Sequence, residues 1–144
     1  MYTPNHRTNS GAVNAYRSQA AKDVETASPY HLTQMLMTGA LDRIAAAKGL
    51  MARGVIAEKC TQISAAISII DCLRVSLDHS IGGEISGNLE DIYRYMMLRL
   101  AEANARNEPA YLEEVAGLMR EIKSAWDQLP PEAIASHTAE AASR

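Results

Sequence analysis

Residues 28–54 read SPYHLTQMLMTGALDRIAAAKGLMARG, and this stretch decides the fold. Ser28 is a preferred helix N-cap, because its hydroxyl oxygen accepts from an orphan N–H of the first turn. Pro29 then stands at the first helical position, where the N–H it lacks would have had no partner. Leu32, Met35, Leu36, Ala40, Ile44, Ala47 and Met51 follow at the 3.6-residue period of a helix face. Arg53-Gly54 ends the segment. Gly39 lies inside the helix, where it costs about 1 kcal/mol against alanine. A close packing contact is expected to explain it.

The same period recurs three more times. Residues 55–77 carry Ile56, Ile63, Ile70 and Leu77 at heptad spacing, with Cys60, Ala66, Ile67 and Leu73 widening the stripe. A turn at residues 78–83 leads to a third helix with Ile85, Leu89, Ile92, Met96, Leu100 and Ala103 on one face. That helix has a second apolar face of Tyr93, Met97 and Ala101. After Asn104-Ala105-Arg106-Asn107, a fourth helix starts near Pro109 and reads Tyr111, Val115, Leu118, Ile122, Ala125 and Leu129, flanked by Leu112, Met119 and Trp126. Pro130-Pro131 stops it. Helices of about 20 residues are about 30 Å long, and short connections make sequential helices antiparallel neighbours. The expected fold is therefore all-α, an antiparallel up-down four-helix bundle over residues 28–129. Residues 1–27 are expected to be a flexible segment with one short helix, because Val13, Tyr16, Ala20 and Val24 form only a thin stripe. Residues 130–144 are expected to be a disordered tail.

Composition removes several function classes. The net charge is −3 and the basic residues are scattered, which argues against a nucleic-acid binder. No apolar run reaches the length of a membrane span, and the polar N-terminus does not read as a secretory signal. Cys60 and Cys72 share one helix, whose rise separates them by about 18 Å, so they cannot bridge to each other. A bundle metal site wants Glu-x-x-His on facing helices, and none of His6, His31, His79 or His137 has a Glu three residues before it. The pairs Glu90-Asp91 and Glu113-Glu114 point about 100° apart on a helix and read as solvated faces. His79-Ser80-Ile81-Gly82-Gly83 bears a distant likeness to a phosphotransfer motif but lacks the lysine that would neutralise a phosphoryl group. No catalytic residue, cofactor or metal is expected.

What remains is surplus apolar surface on the third helix and partly on the fourth. One face closes the bundle, and the other suits the apolar anchors of a partner helix. Met35, Met37, Met96, Met97 and Met119 fit an adaptable surface, and they fit core gap-filling equally well. The sequence leaves open which face points inward.

Specific residues then match a family. Ala15-Tyr16 precedes Thr26-Ala27-Ser28-Pro29, Leu32, Met35-Leu36 and Gly39-Ala40-Leu41. A second block holds Leu77-Asp78, Gly82-Gly83-Glu84-Ile85, Asn88-Leu89, Ile92-Tyr93, Tyr95-Met96 and Ala103-Asn104, and the last runs from Val115 through Leu118 to Ala125-Trp126. In this order the chain resembles the FliS family of flagellin export chaperones. One departure is Leu36-Met37-Thr38-Gly39-Ala40, where the family usually has Leu-Tyr-x-Gly-Ala.

The resemblance implies a cytoplasmic, ATP-independent chaperone, not an enzyme. Its partner would be the C-terminal region of flagellin, kept from premature polymerisation and passed to the flagellar export apparatus. Tyr16 and its neighbours would resemble a lid over the client groove. One wall is expected from Leu36, Met37 and Ala40, the other from Leu89, Tyr93, Met96 and Met97, with Asn88 available to polar client groups. Ile122 and Trp126 are expected in the core. The alternative is a helical adaptor or dimerisation module with a different client.

Overall fold

The computed structural model describes residues 28–130. The expectations for residues 1–27, Tyr16 included, and for residues 131–144 lie outside them. Helices α1 (Pro29–Ala52), α2 (Ile56–Val75), α4 (Glu84–Arg106) and α5 (Pro109–Asp127) form the bundle, with a single turn, α3 (His79–Gly82), between α2 and α4. Each long helix packs against its sequence neighbours and α1 closes onto α5, while the diagonal pairs contribute little. The arrangement is antiparallel throughout. Tyr30 near the start of α1 stacks on Trp126 near the end of α5, whereas Lys48 pairs with Glu113 at the other end.

Local chemistry sets the boundaries. The Ser28 hydroxyl oxygen accepts from the His31 N–H at 3.2 Å, as an N-cap should. At the far end of α1, Gly54 has φ 72°. The Val55 N–H reaches the Leu50 carbonyl at 3.0 Å and the Gly54 N–H reaches that of Met51 at 3.2 Å. This paired closure is a Schellman motif. It turns the chain into α2 within three residues.

The core is built from 3- and 4-residue steps on each helix. Met37, Ala40, Ile44, Ala47 and Met51 meet Ile63, Ala66, Ile70 and Leu73, then Tyr93, Met96, Leu100 and Ala103, then Leu112, Val115 and Met119. Each large side chain so buried contributes roughly 1.5–3 kcal/mol relative to exposure. Two faces are rotated from the sequence expectation. In α4 the inward line is Ser86, Tyr93 and Leu100, so Ile85 is 71% exposed and Ile92 only partly covered. In α5 the line is Leu112, Met119 and Trp126, leaving Ala125 and Leu129 exposed. Adjacent positions differ by about 100°, and hydrophobicity alone favours Ile85 over the neighbouring Ser86. Ser86 is tolerated inside because its hydroxyl donates to the Asp78 carbonyl at 3.1 Å. Ile122 and Trp126 pack against the core from its edge.

Lys59 occupies a core position of α2 and is 3% exposed. Its ammonium donates to the Asn104 carbonyl at 3.2 Å and to Asn107 Oδ1 at 3.1 Å. Asn107 closes α4 in the left-handed conformation, φ 54°. The lysine thus places a cation on the C-terminal carbonyls of α4, where the helix dipole is negative. Ile56, expected on the buried stripe, is displaced to 53% exposure.

Two glycines differ in the space beside them. A Cβ on Gly39 would sit 3.6 Å from Ile69 Cδ1, an ordinary contact. The close approach expected at Gly39 is therefore absent. A Cβ on Gly82 would collide with Ser86 Oγ, and Gly83 beside it has φ 52°. Gly39→Ala should raise unfolding free energy by about 0.5–1 kcal/mol in urea titrations, through helix propensity. Gly82→Ala should lower it by about 1–3 kcal/mol through overpacking. Lys59→Met should cost about 1–3 kcal/mol by leaving the Asn104 carbonyl and Asn107 side chain without their donor.

Candidate protein-binding surface

α2 carries no charged side chain between Lys59 and Asp71. Size decides which way it faces: Ile63, Ile70 and Leu73 point inward, while Thr61, Ser64, Ser68 and Cys72 are exposed. Val75 ends this outward strip at 68% exposure. Threonine, serine and cysteine side chains are short, so another helix can approach closely without desolvating an ion.

A partly buried apolar seam borders the strip on each side. Towards α4, the Cys60 thiol donates to Asn104 Oδ1 at 3.2 Å and Arg74 meets Glu90 at 3.4 Å. These pairs fix a register that brings Ile67 level with Met97, and both pack against the core. Towards α1, Arg43 donates to Gln62 at 3.1 Å, and the same register brings Leu36 level with Ile69. The surface centred on α2 is therefore uncharged in the middle and apolar at both margins, with ionic groups at its corners.

A second exposed apolar region lies along α4 and α5. Ile85 and Tyr95 are 71% and 44% exposed, with Asn88 exposed between them. The Tyr95 hydroxyl donates to Glu114, and Arg99 pairs with the same carboxylate at 2.9 Å while lying 3.7 Å over the Tyr111 ring. This register brings Ile92 near Leu118, both partly covered.

The charged groups gather around a few acceptor carboxylates. Glu90 joins α2, α3 and α4: it accepts from Arg94 at 3.2 Å and Arg74 at 3.4 Å, and His79 Nε2 lies 3.4 Å from its other oxygen. The hydrogen bond from Arg94 is the largest influence holding its carboxyl below the usual range. Glu114 is held low by Tyr95 and Arg99, Glu113 by Lys48 and Arg120, and Asp127 by Lys123 and Gln34. Burial pushes the Tyr93 phenol up to about 12, so that ring stays neutral.

The structure separates the sequence-predicted site residues. Met37, Ala40, Tyr93 and Met96 are at most 2% exposed and belong to the core. Their assignment to open groove walls is corrected, because the four fall on the inward 3-and-4 steps of α1 and α4. Those two helices are diagonal, so they cannot wall one surface groove. Leu36 and Met97 remain at the margins of the α2 surface, Leu89 packs against the core, and Asn88 joins the α4–α5 region. Thr61, Ser64, Ser68 and Cys72 were missed by sequence reasoning. The sequence signal for Thr61, Ser64 and Ser68 is the charge-free run of residues 60–70, and Cys72 lies beyond it, after Asp71.

The model of the family described as Flagellar protein FliS matches residues 12–133. The chain belongs to the FliS family. It is 49% identical over 104 residues to Flagellar secretion chaperone FliSB of Pseudomonas aeruginosa, covering 72% of this chain and 82% of that protein. It is 40% identical over 123 residues to Flagellar secretion chaperone FliS of Vibrio cholerae, covering 85% of this chain and 90% of the relative. The Salmonella typhimurium protein of the same name is 41% identical over 135 residues, covering 92% and 96%. FliS is a chaperone family, not an enzyme family. In this FliS chain, no described helix is long and apolar enough to cross a membrane.

The depressed carboxyls give the acid response a sign. A carboxyl held below its unfolded value contributes stability above that value, about 4.3 for Glu, and loses it as pH falls through the folded value. Melting temperature should therefore fall steadily from pH 5 to pH 3. Glu114→Gln should make that acid decline shallower, as followed by circular dichroism melts at each pH. An unchanged decline would remove Glu114 as a contributor.

Proposed function

We propose that this chain is a cytoplasmic flagellar secretion chaperone that binds the C-terminal helical region of flagellin. Family membership carries the activity, and the uncharged α2 surface supports where the client lies. A free flagellin tail is disordered and exposes apolar side chains meant for the filament. Helix-in-groove docking covers those anchors. The client orders as it binds, an entropic cost offset by the large apolar area removed from water. No nucleotide is required, because binding and release are differences in affinity. Covering the assembly surface prevents premature polymerisation and leaves the tail unfolded enough for the export apparatus.

The two exposed regions support one course for the client. One client segment lies across α2 between the Leu36–Ile69 and Ile67–Met97 margins. A second contacts Ile85, Asn88 and Ile92 on the α4–α5 side.

Titration calorimetry with the C-terminal segment of the organism's own flagellin tests the reading. One-to-one binding with a gain in helical circular dichroism is expected. Because the α2 surface is uncharged, affinity should change little between low and physiological salt. Ser68→Asp should weaken binding about tenfold or more, about 1.4 kcal/mol or more, by desolvating a charge without a partner. Ile85→Glu reports in the same way on the α4–α5 region. Both positions are exposed, so melting temperature should stay near the parent value. Tyr16→Ala should alter client affinity. No binding at tens of micromolar would remove flagellin as the client and direct attention to self-association by sedimentation. Normal binding by Ser68→Asp would move the client off α2 while leaving the chaperone assignment standing.

A further inference from the structure

We draw no further inference here: the strongest candidate, the outward surface strip of α2 that carries the exposed Cys72 beside Ser68, belongs to the client surface already proposed, and nothing in the structure shows a second occupant for it.

Discussion

The ammonium of Lys59, buried against the last turn of α4, solves a problem that α2 poses for the whole bundle. A helix with uncharged side chains over most of its surface has no strong electrostatic preference for which face meets water. Apolar burial is non-directional, so rotation of α2 about its axis would be poorly specified by hydrophobicity alone. Lys59 removes that freedom at one end, because its protons must reach the Asn104 carbonyl and Asn107 Oδ1. Arg74 and Glu90 fix the other end, and Arg43 with Gln62 holds the α1 side. With rotation settled, the large residues Ile63, Ile70 and Leu73 fall inward and the small hydroxyl-bearing ones fall outward. Among the described residues, no buried side-chain nitrogen or oxygen lacks a partner. The polar contacts that orient α2 therefore carry no unpaired cost.

That division of labour leaves the outside of α2 open to a partner. Charges placed there would have specified its rotation cheaply, yet each would have to be desolvated when an apolar helix docks. Serine and threonine are a compromise. Their hydroxyls keep the surface wetted, and they can also be satisfied locally, as Thr61 is by the Ala57 carbonyl at 3.2 Å. The ionic groups sit instead at the ends and outer edges, where Glu90 and Glu114 gather the arginines. Such exposed pairs add little stability individually, and their more useful effect is to fix helix register at the borders of the uncharged region.

The helix ends were the most legible part of the sequence, because their chemistry is local. Ser28-Pro29, Gly54 and Pro109 each carry a mechanism that acts within a few residues, and the helices begin and end there to within about two residues. Facing was less legible. Met119 and Leu118 are neighbours of similar hydrophobicity, and Ile92 is more apolar than the buried Tyr93; the inward member is chosen by partners from other helices. Lys59 illustrates the limit most sharply. No sequence rule puts a lysine in a core, and its acceptors lie 45 and 48 residues away. Gly39 failed for a different reason: a helical glycine invites a steric explanation, and the space beside Ile69 would admit a methyl group. The FliS resemblance named the activity correctly. It could not say which apolar side chains remain outside once the core is filled.

Square packing then constrains how any client can be held. α1 and α4 stand diagonally across the core, so their largest apolar side chains meet at the centre and form no open cleft. A client that touches both helices has to pass over α2 or over α5. The α5 route crosses Lys48, Glu113, Arg120, Lys123 and Asp127, all engaged in ion pairs along the α1–α5 side. Crossing there would strip water from charges already paired with one another. The α2 route crosses hydroxyls and a thiol, and it leads from the Leu36 margin to the Met97 margin without meeting an ion in the middle. Reaching Ile85 and Asn88 from there requires a further turn around α4. The packing of four helices in a square thus favours a client that wraps the bundle over one that inserts into it.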